Sequence, residues 1–415
     1  MTAKKIKLSL SNAQKRKSID PLKKYEASIK SQQTRTVYTI TFRDILDSIT
    51  ELNGTFEDKV RQFYELAKNN PENVQELLEQ YAIHLNARSK KPRDSDEYLN
   101  PNTFTNKFKG IKKFCKVNRI AIIWDSIMEF EPEKNNNKQT RGFTTQEIKI
   151  ILEHSTNIRT DLATLLISSC GSRSGELEEL RWEQISPIYE CDGKYSFEES
   201  ENSIIVCACV IVYAGTSSEY QTLISIEAWD KLQSLKTQWI QKTGRDPLGS
   251  DYVFLKSGTE ILPFAKNGIQ KKLTQVVRKS QVQIKLDGER RFENPVTHAF
   301  RKRYNKIMTE LENKNDSHGN HIRKERLMGH KSGISSLESN YFFSNILESV
   351  SQYLQAMPEL MISDEYRTKN LLEQEQKKKT QLESEIQQKD NASIKAIKEL
   401  TLKVERMEKY QKREN

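Results

Sequence analysis

Apolar residues recur at helical intervals from about residue 38. Phe42, Ile45, Leu46, Ile49 and Leu52 form one stripe, Phe56, Val60, Phe63 and Leu66 a second, and Val74, Leu77, Leu78, Tyr81 and Leu85 a third. The third opens on Asn70 and Pro71, a capping residue followed by a proline at the first helical position. A fourth run, "NTFTNKFKGIKKFCKVNRI", sets Phe104, Phe108, Ile111 and Cys115 on one side and spreads Lys107, Lys109, Lys112, Lys113 and Lys116 over the rest. These stripes predict a four-helix unit over 36–130 with one strongly basic helix. The pattern lapses in "EPEKNNNKQTRG", 131–142, which reads as an interdomain linker. It resumes in "FTTQEIKIILEHS", where Thr144 and Glu147 have capping-box spacing and Phe143 and Ile148 can form a hydrophobic staple.

A second domain is therefore expected over 143–362. It is helical through "DLATLLISSC" and turns β-like in "SIIVCACVIVYAGTSSEYQTLISI", two β-rich runs around a Gly-containing turn. From "EAWDKLQSLKTQWI" it is helical again. The expected fold is mainly α with a small antiparallel sheet: a helical N-terminal unit followed by an α+β domain. Over 363–415, Ile397, Leu400, Val404 and Met407 keep 3-4-3 spacing, but the same register meets Asp390 and Ser393, so a long helix or weak coiled coil is expected.

Charge changes this picture at the start of the chain. Across 415 residues, Lys and Arg exceed Asp and Glu by 67 to 57, and 1–30 hold nine basic residues against two acidic ones. Residues 1–35 read as a basic flexible tail, either a DNA-contacting arm or a solvated segment. No apolar core follows those basic residues as in a secretory signal, and no apolar run approaches the ~18 residues of a membrane span, so a cytoplasmic protein with no membrane partner is expected. The five cysteines are scattered in apolar or strand-like contexts, which argues against a disulfide framework. Cys207 and Cys209 share a strand face without further ligands nearby, and His318 and His321 read as part of a polar loop rather than a zinc site. No phosphate-cradling glycine loop occurs. Neither a metal nor a nucleotide cofactor is expected.

Three short stretches carry candidate chemistry. In "CGSRSGELEELRWEQI", Arg173 sits in a Gly- and Ser-rich turn, with Glu176 able to orient its guanidinium. In "PVTHAFRKRYNKI", His298 and Arg301 lie three apart at the start of a predicted helix that Thr297 could cap, a setting that favours an anion. In "LMGHKSGISSLESNYFF", His330 precedes Tyr341 by eleven positions. Each residue alone is more often structural than chemical.

In order, the five resemble the tyrosine recombinase (phage-integrase) family, most nearly the integrases of archaeal mobile elements, over residues 38–360. The resemblance implies that Arg173 and Arg301 clamp a scissile phosphate, that His298 and His330 stand around it, and that Tyr341 is the nucleophile. It implies a 3′-phosphotyrosyl intermediate with a free 5′-hydroxyl, rejoined without ATP or metal. The helical unit would be a core-binding domain. Partners would be double-stranded DNA attachment sites, three further copies in a homotetramer, and accessory DNA-bending factors. The family places a general-acid lysine on the turn of the small hairpin; here that turn, 214–220, reads "AGTSSEY", with Ser217 or Ser218 at the corresponding position. Lys194 or Lys256 could reach in from elsewhere, a weaker acid could serve, or catalysis could be impaired. Tyr304 and Tyr353 fit the nucleophile's place less well than Tyr341. The stripe of Ile346, Leu347, Val350, Leu354 and Met357 could dock on a neighbouring protomer, as in the family, or pack on its own domain. Two alternatives are a recombinase-like DNA-binding protein without catalysis and a type IB topoisomerase. The latter usually carries Ser-Lys-x-x-Tyr where this chain has "LESNY".

Overall fold

The computed structural model describes residues 20–134, 140–256, 262–264, 267–285, 292–315, 318–330 and 346–414. The chain divides into two compact units, the first ending at Lys138.

The regular structure described in the first unit is all helical: α1 (Pro21–Ala27), α2 (Gln32–Ser48), α3 (Phe56–Asn69), α4 (Pro71–Ser89), α5 (Phe104–Asn118) and α6 (Trp124–Met128). The apolar stripes of α2 to α5 converge on one core, in which Phe42 meets Phe114 in a tilted pair at 4.8 Å and takes Phe63 edge-on. Such aromatic pairs add to the burial of their area. Two expectations change. The expected basic tail extends to residue 35, yet Asp20 caps α1, and Tyr25 is fully buried against Phe42 and Phe114. One buried residue in a seven-residue helix leaves no periodicity to read. Asn70 does not cap α4 with its side chain. On α5, Lys107 pairs with Asp44 and Lys112 lies over the Trp124 ring, while Lys109 and Lys116 are exposed.

The second unit starts with α7 (Thr145–Glu153), whose capping box between Thr144 and Glu147 forms with Phe143 and Ile148 both buried. The end of the expected linker belongs to this unit: Arg141 pairs with Glu147 and Glu293, and a Cβ on Gly142 would collide with the backbone of Arg303. Next, α8 (Ile158–Cys170) buries ten of its thirteen residues, including every one from Leu162 to Cys170. A helix buried on nearly all sides belongs at the centre of a domain, and its buried Thr164, Ser168 and Ser169 hydroxyls are satisfied by carbonyls of the same helix.

The sheet is antiparallel with order β2-β1-β3-β4: β1 (Ile185–Cys191), β2 (Lys194–Ser196), β3 (Ile204–Val212) and β4 (Tyr220–Ser225). Both faces of β3 are covered. Ala208, Val210 and Val212 join the cluster around α8, and Cys207 and Cys209 join a second cluster with Tyr304 and Tyr353. That two-sided burial explains a continuous apolar run where a half-exposed strand would alternate. All five cysteines are free.

The rest is α9 (Ile226–Thr243), α10 (Gly268–Lys279), α11 (Val296–Asn315), α12 (His318–Leu327), α13 (Val350–Leu360) and α14 (Asp364–Glu414). The segment around His318 and His321, read as a polar loop, is helical as α12, because Leu327 and Met328 bury its end. The stripe beginning at Ile346 packs on its own unit: Ile346, Val350, Tyr353 and Met357 are all buried there. At its start α14 is docked, through Tyr366 to Asp230, Gln374 to the Leu354 carbonyl and Lys377 to Glu190. Further along, Leu382, Ile386, Ile394, Ile397, Leu400 and Val404 are all exposed. No described helix is long and apolar enough to cross a membrane.

Candidate active site

The end of α8 places the first arginine. Gly171 leaves the helix at φ +64°, and a Cβ there would lie 2.6 Å from the Tyr304 ring, so only glycine fits. The chain then passes Ser172 and enters a single 3-10 turn, Ser174–Glu176. Glu176 accepts from the backbone N–H of Arg173 at 2.6 Å and from its guanidinium at 2.8 Å. The Arg173 side chain is 52% exposed and that of Glu176 is not exposed at all. The carboxylate is thus a buried anchor, and the cation faces outward.

The second arginine lies beneath. On α11, Arg301 donates from NH1 to the Gly171 carbonyl at 2.6 Å and from NH2 to the Met328 carbonyl at 2.7 Å. Its pKa is held below the ordinary arginine value, first by burial and next by the like charge of Arg173, with Glu176 and Tyr220 opposing. Two guanidiniums close enough to repel are a site in want of an anion. The helix begins at Val296, with the Pro295 carbonyl accepting from Ala299, so Thr297 lies inside it and is not the cap. His298 is exposed one helical turn before Arg301.

His330 arrives from the end of α12. Gly329 takes φ +64°, its N–H bonds to the Arg326 carbonyl, and the His330 N–H reaches back to the Glu325 carbonyl at 2.9 Å. This is a Schellman motif, which sets the residue after the glycine over the third residue from the helix end. In place of the usual apolar contact, His330 Nδ1 lies 2.7 Å from Glu325 Oε2, and its Nε2 lies 2.6 Å from Arg301 NH2.

Arg173, Glu176, Tyr213, Ser218, Tyr220, Glu325, Gly329 and His330 line one cavity of about 530 Å³. Tyr220, first residue of β4, donates to Glu176 Oε2 at 2.7 Å, and a Cβ on Gly329 would lie 2.5 Å from its ring. Burial, then the Glu176 charge, pushes its phenol pKa up, so it remains a donor. The structure thus brings Arg173, Arg301 and His330 together. Tyr341, the expected nucleophile, lies outside the described residues. Neither lysine suggested for proton donation lines the cavity: Lys194 is on β2, at the sheet edge opposite β4, and Lys256 lies beyond α9. Tyr304 and Tyr353 are fully buried, and burial raises both phenol pKa values, which disqualifies them as nucleophiles. Sequence reasoning passed over Glu325 and Tyr220. The run "ERLMG", a helix ending in glycine, was the available signal for Glu325.

No family model matches the chain, and no curated protein matches it. Among solved structures, the chain is similar to XerA recombinase, at 17% identity over 76% of this chain and 97% of that one, with a TM-score of 0.32. It is similar to a lambda integrase dimer bound to a COC′ core site, at 15% identity over 77% and 75%, with a TM-score of 0.42. It is also similar to XerH site-specific recombinase bound to difH substrate in a pre-cleavage complex, at 13% identity over 78% and 97%, with a TM-score of 0.34. Likeness at that level assigns no role to any residue, and the site is read from its own geometry.

Proposed function

We propose that the chain is a site-specific DNA recombinase of the tyrosine type. It cuts and rejoins DNA through a 3′-phosphotyrosyl intermediate, for integration or excision of a mobile element. The observation that supports this reading is that Arg173 and His330 line one cavity and Arg301 bonds to His330 from behind it, each guanidinium held by protein partners. Attack on a phosphodiester gathers negative charge on the non-bridging oxygens, and two fixed guanidiniums meet that charge without a metal ion. Tyr341 is the proposed nucleophile. A phenol of ordinary pKa, about 10, needs a cationic setting or a base to react near neutrality. His298, one turn before Arg301, is the proposed second histidine at the phosphate.

The helical unit is proposed as a core-binding domain that lays the exposed lysines of α5 along the DNA backbone, in a homotetramer assembled on attachment sites. A second reading rests on one observation: among the described residues no lysine lines the cavity. It makes the chain a recombinase-like DNA-binding protein without strand cleavage.

A nicked suicide duplex carrying the attachment site, identified from the DNA flanking the gene, separates these readings. The recombinase accumulates a covalent adduct that maps to Tyr341 and is absent from Tyr341→Phe. If the two proteins behave alike, the recombinase reading fails. Salt-sensitive binding with no adduct supports the second reading. Relaxation of supercoils without sequence preference identifies a type IB topoisomerase instead.

A further inference from the structure

The two described contacts of the His330 ring, one at each nitrogen, fix a single arrangement of protons. Arg301 NH2 carries only hydrogens, so the ring nitrogen 2.6 Å away must offer a lone pair. The carboxylate of Glu325, 2.7 Å from the other nitrogen, requires an N–H there. Nδ1 is therefore the protonated nitrogen and Nε2 the acceptor. Glu325 is fixed for this task by the Schellman turn, which ties the backbone of His330 to the Glu325 carbonyl and stacks one side chain over the other.

Arg301 completes the arrangement. Both hydrogens of its NH2 are committed, one to the Met328 carbonyl and one to His330 Nε2, while NH1 serves the Gly171 carbonyl. A two-pronged grip on a phosphate by both terminal nitrogens requires NH2 to release one of these acceptors. Met328 and Gly171 are backbone carbonyls fixed at the ends of α12 and α8, which leaves the imidazole as the partner that can be released.

We infer that Glu325 is a positioning residue that holds His330 as the Nδ1–H tautomer, and that Arg301 occludes the Nε2 acceptor until a phosphate group draws the guanidinium onto itself. Before substrate arrives, the one lone pair able to take a proton is covered. Binding of the phosphate uncovers it, so proton acceptance is coupled to occupancy of the cavity. Among the described residues, the groups facing His330 are Glu325 from α12, with Lys324 Nζ 4.0 Å from the other Glu325 oxygen; Arg301 from α11; Tyr220 from β4; Tyr213 from the hairpin; and Arg173 and Glu176 from the 3-10 turn. Lys324 is itself engaged by Thr309 and Glu312, at 3.0 and 3.2 Å. The tautomer follows from the contacts alone. The coupling rests on the recombinase reading, which supplies the phosphate.

The test is a ¹⁵N spectrum of the histidine side chains in the full-length protein, with His330→Asn to assign the signals. The wild type is expected to show an N–H-type Nδ1 and a lone-pair-type Nε2. Glu325→Gln keeps that pattern, because its amide oxygen still accepts from Nδ1–H, and Glu325→Leu loses it. Inorganic phosphate added to the wild type shifts Nε2 and leaves Nδ1 in place. An Nε2–H in the wild type, or a wild-type pattern in Glu325→Leu, overturns the positioning role. The wild-type spectrum decides the tautomer even if the leucine variant does not fold. An Nε2 signal unmoved by saturating phosphate overturns the coupling. In strand cleavage, Glu325→Leu falls about 100-fold, the scale of a lost general base, and the glutamine variant falls far less. These spectra need no DNA chemistry, so their outcome and that of the Tyr341 adduct are independent.

Discussion

In the floor beneath the cavity, Arg301, which touches His330 from behind, is tied to two backbone carbonyls at the ends of different helices, and His330 is bound to Glu325 through both backbone and side chain. On the rim, the described bonds of the hairpin turn 213–219 run within the turn. Thr216 bonds to the Tyr213 carbonyl, Glu219 to the Thr216 carbonyl, and the Gly215 N–H to the Glu219 carboxylate. Tyr213 and Gly215 both take positive φ there. The floor is fixed by tertiary contacts between buried elements, and the rim by local turn chemistry. A charge whose backbone anchors stay in place while one side-chain partner gives way to an anion belongs on the floor. A rim of this kind can change its side chains without disturbing that floor, and here it carries no ammonium group.

The largest expected effect breaks the floor. Arg301→Ala should lower single-turnover strand cleavage by about 1,000-fold, the scale of a lost oxyanion donor, and should also lower thermal stability because the Gly171 and Met328 carbonyls lose their donor. Arg301→Lys should restore little, since one ammonium cannot reproduce the planar fork. A smaller effect comes from Gly329→Ala, which sets a methyl 2.5 Å from the Tyr220 ring at φ +64°. Denaturant unfolding should register a loss of about 1–3 kcal/mol. Gly175→Ala, with nothing within 4 Å of the added carbon, is the control and should leave both stability and cleavage near wild type. The smallest effect sharpens the comparison from the other side: Lys194→Ala and Lys256→Ala should cleave within about twofold of wild type, because neither side chain lines the cavity. A large loss in either would mean that a distant lysine reaches the rim.

Much of the fold is legible in the sequence because it rests on short-range pattern. The stripes of α2 to α5, the Thr144–Glu147 capping box and the two-sided strand Ile204–Val212 each follow from residues that are neighbours in the chain. Arg173, His298, Arg301, His330 and Tyr341 are expected from the order in which they resemble a known family, and of these the described residues bring Arg173, Arg301 and His330 together. What escapes is built across the chain. Tyr220 matters because β4 carries it beside Glu176, forty-four positions away. Glu325 matters because a glycine turn folds it over His330, and as the one acidic residue of a polar, basic helix it reads from the sequence as a solvated partner for its lysine and arginine neighbours. The burial of α1 depends on the single ring of Tyr25, among charged neighbours that made the segment look solvated.

The pairing of Arg173 and Arg301 on one phosphate is tested most directly by removing the charge they are to meet. A duplex with the attachment site and a methylphosphonate at the scissile position lacks one anionic oxygen. Arg173→Ala is the suitable partner, because that side chain is half exposed and its loss leaves the anchors of Arg301 in place. The expected result is that Arg173→Ala fails to form the Tyr341 adduct on the ordinary phosphodiester and regains it on the methylphosphonate. A variant equally inactive on both duplexes, while the wild type cleaves the phosphodiester, would contradict a role for Arg173 in neutralising the phosphate.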